Sequence, residues 1–261
     1  MGCISQKMLM AVAGSLSEYT IANAALFDGA NGYMSQSFSS PGNAKLTRYK
    51  FFHQREILGA EQCLLCPWIS ANEYAEITFR STDKLEVGVV VGGVWVWRIT
   101  TDMVFRDVRF QDIEVIIDTD QTVYANGVAV LVNGVEVAIS SVSGFPASGY
   151  DNLWNEAGSV THYIGRRGNG TADLYGYLAY CNAEDGSITG VSGEVDADTG
   201  NWKAKAYDGS YGTNGWELLY ETAGLSSLGA DLGTDTSGEG NHWTTSASGL
   251  SQVTSTPTNP E

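Results

Sequence analysis

The stretch VAVLVNGVEVAI, residues 128–139, constrains the fold of this chain more than any other. Asn133 and Gly134 stand between two runs of alternating aliphatic residues. An Asn-Gly pair is favoured where both central residues need positive φ, as in the type I′ turn of a two-residue hairpin. Such a turn pairs Val132 with Val135, Val130 with Val137 and Val128 with Ile139. All six then share one face, because strand side chains alternate with a period of two. A lone hairpin is marginal in water, so this face needs a second sheet to cover it.

The same period recurs in AEITF (75–79), KLEVGVVV (84–91), VWVWRIT (94–100) and DIEVIID (112–118). Gly92-Gly93 reads as a two-residue turn between the second and third of these, and Asn214-Gly215 as a turn before WELLYE. Thirty-one Gly and thirteen Tyr against five Pro suit short strands and tight turns. With no convincing amphipathic helix, the expectation is all-β, an antiparallel sandwich of jelly-roll type. The divisions read from texture are an N-terminal arm over 1–25, a sandwich over 26–189, and a C-terminal extension over 190–261. That extension completes or wraps the sandwich, and its polar tail from about 226 is expected to run as an extended surface loop.

Thirty acidic residues face fourteen basic ones, a formal net charge of −16. Such a surface repels phosphate backbones and anionic lipid, which excludes nucleic acid and membrane surfaces as expected partners and leaves cations, neutral sugars and proteins. No run approaches the ~20 apolar residues of a membrane span, and no targeting segment is expected from MGCISQKMLMAVAG. Cys63 and Cys66 have the spacing of half a zinc site without a second pair. In a regular strand they face opposite sides as buried small hydrophobes. Trp95 and Trp97, two residues apart, are expected to share a core or subunit face, and Arg166-Arg167 to pair with a nearby acid or a neighbouring subunit.

Several motifs in fixed order carry a family likeness. VFRDVRFQDIEVIIDT, VLVNGVEV and HYIGRRGNGTADLYGYLAY resemble the laminin G-like, concanavalin A-like jelly roll. GEVDADTGNWKAKAYDGSYGTNGWELLY, LGTDTSGEGNHWT and TSTPTN resemble the back end of a group of bacteriophage virion proteins that carry this sandwich as a tail or fibre component. The likeness spans roughly residues 26–259. It departs from the family at Leu178-Ala179-Tyr180, where LAE is usual, and at Arg109-Phe110-Gln111, where Trp-Tyr-His is usual. The resemblance implies a virion structural protein assembled in the host cytoplasm: tail fibre, tail tip or head decoration. It further implies a homo-oligomer in contact with other virion proteins, with a lectin-like domain adhering to host surface glycans. A stand-alone carbohydrate-binding module is the alternative.

Candidate sites follow from residue chemistry. Tyr150, Asn152, Trp154 and Asn155 place aromatic rings beside amides, the pairing that grips a pyranose by its CH face and hydroxyls. Glu194, Asp196 and Asp198 alternate in GEVDADTG, and on one strand they resemble the E-x-D-x-E of laminarinase-type enzymes, whose retaining carboxylates stand about 5 Å apart. A glycan hydrolase using Glu194 and Asp198 is therefore the third reading. Gly193 before the acids and Thr199-Gly200 after them favour a solvated turn, so no catalytic residue is assigned and an enzyme is not expected. Asp196 and Asp198 also begin a calcium-loop pattern that lacks its closing Glu, which makes them candidate ligands of a calcium ion in a protein otherwise without cofactor.

Overall fold

The structure is a computed structural model and describes residues 19–146, 148–198, 200–221 and 232–257. The strands run β1 (Ala24–Asp28), β2 (Met34–Gln36), β3 (Leu46–Arg55), β4 (Gln62–Ser70), β5 (Glu73–Phe79) and β6 (Lys84–Val91). Next come β7 (Val94–Val104), β8 (Gln111–Asp118), β9 (Val128–Val132), β10 (Val135–Glu136), β11 (Ile139–Ser143) and β12 (Thr161–Ile164). The last are β13 (Tyr175–Asp185), β14 (Gly193–Val195), β15 (Trp202–Ala204), β16 (Trp216–Leu218), β17 (Thr244–Thr245) and β18 (Leu250–Val253). One helical turn, α1 (Tyr124–Gly127), interrupts them.

Two eight-stranded antiparallel sheets form the jelly-roll sandwich. The first has the order β10-β9-β8-β3-β13-β1-β18, with β16 also on β13; the second has the order β11-β7-β6-β5-β4-β12-β2-β17. Alternation turns Phe51, Ile113 and Val115 of the first sheet toward Ile77, Val87 and Trp97 of the second, and these are sealed from solvent in one core. β14 and β15 make a separate hairpin. It lies over the outer face of the first sheet, where Ala204 and Trp202 join Phe52, Tyr180 and Ile21 in a smaller apolar cluster. Arg48 ties this covering segment down, pairing with Glu184 and donating to the Gly190 carbonyl.

The structure moves several expected boundaries. β1 starts at Ala24 and lies between β13 and β18, so residues 24 and 25 belong to the sheet rather than to an arm; residues 1–18 lie outside the described residues. The C-terminal segment supplies strands to both sheets, and Leu232 and Trp243 are buried, so the described part of the tail is structural rather than a surface loop. The Asn133-Gly134 turn forms as expected, with φ of 50° and 73° and Val132 opposite Val135. Val128 and Ile139 do not pair, because the chain leaves the first sheet after Val137 and Ile139 opens β11 on the second. Around Asn214-Gly215 the left-handed residue is Gly212, and the Gly215 amide closes a turn onto its carbonyl.

Two β-bulges overturn face assignments made from strict alternation. In β4 the register slips between Cys63 and Leu65. Cys63 stands opposite Thr78 and Cys66 opposite Tyr163, which puts both thiols on the outer face, where burial pushes the Cys66 thiol upward. In β7, Trp97 faces Val89 while Trp95 faces Val90, so the intervening Val96 is skipped. Trp97 stays in the core and Trp95 turns outward. An extra residue in one strand reverses every side chain beyond it, which is how a bulge re-aims a group.

Candidate functional site

On the outer face of the first sheet, a cleft of about 570 Å³ opens between the strands and the β14–β15 hairpin. Phe52 and Gln54 reach it from β3, Gln111 from the start of β8, and Phe110 with the exposed Arg109 from the loop before β8. Asn133 enters from the type I′ turn, and Asn201, Trp202, Lys203 and Ala204 from the hairpin. Ser255 and Pro257 close one end.

Trp202 is the centre of this arrangement. Its indole N–H donates to Asp112 Oδ2 at 2.6 Å. A Cβ at Gly134 or Gly193 would fall 2.3 or 2.4 Å from the ring, so both glycines are needed to seat it. Asp112 is buried beneath the floor, 2.9 Å from Lys50 Nζ, and that ammonium stands 5.6 Å from the ring centroids of both Phe52 and Trp202. Loss of water pushes the Asp112 carboxyl up to about 6, the Lys50 charge opposing without prevailing. Its Oδ1 is buried with no hydrogen-bond partner among the described residues.

The rim is electrically balanced. Arg109 grips Asp107 through both carboxylate oxygens, at 3.0 and 2.6 Å, and Lys203 lies 3.7 Å from Glu194 and 3.0 Å from Asp196. The cavity wall thus combines aromatic carbon and side-chain amides with Val108 and ions that are already paired, Asp107 with Arg109 and Lys203 with Glu194 and Asp196. This chemistry stacks on sugar CH faces and exchanges hydrogen bonds with hydroxyls.

The expected site residues lie elsewhere. Trp154 is only 1% exposed; its carbonyl accepts from Tyr49 Oη at 2.8 Å, and its ring packs on that tyrosine. Asn152 is buried, accepting from the Trp97 indole and donating to Thr119. Asn155, also buried, donates to Asp185. Asn214 gives its own amide to that carboxylate and its side chain to the carbonyls of Ser40 and Asn155. Tyr150 is half-buried, and its carbonyl accepts from Thr119. These residues hold loops to the sandwich; with Trp154 sealed inside, the loop offers no indole face for a sugar to stack on.

Glu194 lies in β14 opposite Lys203, and Asp196 and Asp198 lie in the turn that follows. The Glu194 side chain is half exposed, and Asp196 Oδ1 accepts the Asp198 amide while Oδ2 faces Lys203. An ammonium thus stands where a cation would. No group of three or more His, Cys, Asp or Glu is placed to hold a metal ion among the described residues. Arg167 pairs with Glu76 at 2.9 Å, and Arg166 lies over the Tyr33 ring.

No family model and no curated protein matches the chain. Solved structures do match. A protein of Bacteroides ovatus ATCC 8483, provisionally named carbohydrate binding, is 15% identical over 90% of this chain and 60% of its own, with a TM-score of 0.55. The chain thus spans less than two thirds of that relative. A heptameric SAP-like pentraxin of Limulus polyphemus matches at 14% identity over 66% of this chain and 80% of its own, TM-score 0.45. Domains LG4-5 of mouse laminin α1 match at 11% over 80% and 52%, TM-score 0.44. The fold is the laminin G-like, concanavalin A-like jelly-roll sandwich.

Proposed function

We propose that the protein is a non-catalytic glycan-binding module and that its ligand is a neutral sugar seated in the cleft beside Trp202. The observation that carries this reading is the joint lining of Phe110, Trp202, Gln54, Gln111 and Asn133, with both rim cations already held by carboxylates. A paired cation has little left to offer an acidic sugar. The Bacteroides ovatus structure, at a TM-score of 0.55, is provisionally named carbohydrate binding, which supports the same reading.

The test is an array of neutral and acidic oligosaccharides, run with and without calcium, followed by calorimetry on the best ligand. Trp202→Ala is expected to weaken binding by roughly tenfold to a hundredfold, the size of a stacking anchor. A flat array, or an affinity indifferent to Trp202→Ala, would sink the proposal.

The setting in which the module works is the finer part of this reading. The virion role rests on the resemblance of GEVDADTGNWKAKAYDGSYGTNGWELLY and the motifs after it to bacteriophage tail-type proteins. In that setting the sandwich is a displayed, oligomeric component that holds host glycans. Mass spectrometry of purified particles checks it, and absence from them leaves the stand-alone carbohydrate-binding module.

A further inference from the structure

We infer that the outer face of the second sheet carries a second glycan platform, made by Trp68, Tyr74 and Trp95, which makes the module bivalent for neutral polysaccharide. The platform is on the other sheet from the cleft and does not depend on it.

The first support is the bulge in β7. Regular alternation would leave Trp95 in the core with Trp97; the skipped Val96 turns it out instead. Trp68 stands opposite Tyr74 in the β4–β5 ladder, and their rings stack with centroids 5.3 Å apart and planes at 29°. The Trp95 ring follows at 6.1 Å from Tyr74, edge-on. All three rings are half-buried, so each keeps surface toward solvent. The steps from ring to ring are comparable to those between adjoining units of an extended glycan.

The second support is the room made for these rings. A Cβ on Gly88 would come within 2.9 Å of the Trp95 ring, and one on Gly168 within 2.1 Å of Trp68. Glycine at these two positions leaves the space that the two indoles occupy on the outer surface.

The third is charge. The Arg80 and Arg98 guanidiniums lie over the Trp95 ring, 5.9 and 5.1 Å from its centroid, so the solvent-facing surface of this platform is aromatic carbon bordered by guanidinium. Arg80 is bound by Glu61, Glu76 and Glu86, and Arg98 lies 3.7 Å from Glu86. Arg167 completes the layer on Glu76 and Glu61. Three guanidiniums against three carboxylates leave no net charge to recruit an acidic polymer. Fixed N–H and carboxylate groups beside aromatic faces are the donors and acceptors that neutral hydroxyls use. A long chain bridging several copies of the protein would gain avidity from both faces.

The experiment is affinity electrophoresis of the full chain in native gels containing mixed-linkage β-glucan, xylan, mannan or polygalacturonate. Wild type is compared with Trp95→Ala, Tyr74→Ala and Trp202→Ala, each checked for folding by circular dichroism. Trp95→Ala and Tyr74→Ala are each expected to weaken retardation by a neutral polymer roughly tenfold, with Trp202→Ala retaining part of it. The inference is overturned if neither variant of this face changes retardation, if polygalacturonate retards more than the neutral polymers, or if no polymer retards wild type. It is likewise overturned if Trp95→Ala only dissociates a dimer in sedimentation, for then a second copy covers the face. Loss confined to Trp202→Ala sinks this inference and spares the cleft; loss confined to Trp95→Ala and Tyr74→Ala does the reverse.

Discussion

At the scale of single residues, the cleft depends on a charge it hides. Asp112 is both the anchor of the Trp202 indole and the buried partner of Lys50. Its folded pKa of about 6 lies above the ordinary carboxylate value of 3.8, so the fold binds this proton more tightly than the unfolded chain does. The sign follows: the contribution of this group to stability is full below the unfolded value and declines as pH rises through about 6. The emission difference between wild type and Trp202→Phe is expected to titrate with a midpoint near 6 and to be flat in Asp112→Asn. Absence of any transition between pH 5 and 7 would refute the coupling. Asp185 is a second buried hub, accepting from the Asn43 amide at 2.6 Å, the Asn155 side chain at 3.0 Å and the Asn214 amide at 2.9 Å. Asp185→Ala strands all three donors and is expected to cost about 3 kcal/mol or more in urea denaturation. A loss below about 1 kcal/mol would show that water replaces the carboxylate.

At the scale of elements, the acidic hairpin separates what looks chemical from what positions chemistry. Glu194 is half exposed and its ion pair with Lys203 is a loose 3.7 Å, so Glu194→Gln is expected to change stability by less than about 0.5 kcal/mol and to leave glycan affinity unaltered. Gly193→Ala is expected to do the opposite, weakening both, because its new methyl group would sit 2.4 Å from the Trp202 ring. Equal effects in calorimetry and denaturation would contradict this division. The same elements show what sequence could reveal. Asn133-Gly134 and Gly92-Gly93 were legible because positive φ restricts residue type, and all four residues adopt it. The bulges were not, since the extra residues Leu64 and Val96 are ordinary aliphatics that pack in any strand. The loop 150–155 misled because its aromatic and amide side chains read alike whether they meet sugar or clamp a loop; burial alone tells them apart. The cleft gathers residues from separate parts of the chain, so no local motif announces it. Its traces were scattered through the sequence: Arg109-Phe110-Gln111, Asn133 of the hairpin turn, and Trp202 just after the acidic run.

At the scale of the whole molecule, the acidic chain hides two histidines as neutral groups. His53 is stacked on Phe79 at 5.2 Å, and burial with Arg55 nearby holds its pKa down at about 3. His162 is sealed against the Trp154 carbonyl, and burial lowers it to about 4. Both folded values lie below the ordinary 6.5, so the unfolded chain takes up protons that the fold refuses. Their stabilising effect is complete above pH 6.5 and is lost as pH falls toward 4, on the order of 3 kcal/mol for each fully buried ring. Asp112 works in the other direction between about 6 and 3.8, and so do Glu184 and Asp173, whose carboxyls burial raises. The lowered carboxyls of Asp28, Asp83 and Asp107 act in the same sense as the imidazoles. Urea midpoints are therefore expected to fall steadily from pH 7 to pH 4. His53 Nε2 has no hydrogen-bond partner among the described residues, so Phe removes no bond at that nitrogen. His53→Phe is then expected to match wild type near pH 7 and to lose less stability on acidification. Parallel acid limbs for the two proteins would show that His53 is not a source of the acid sensitivity.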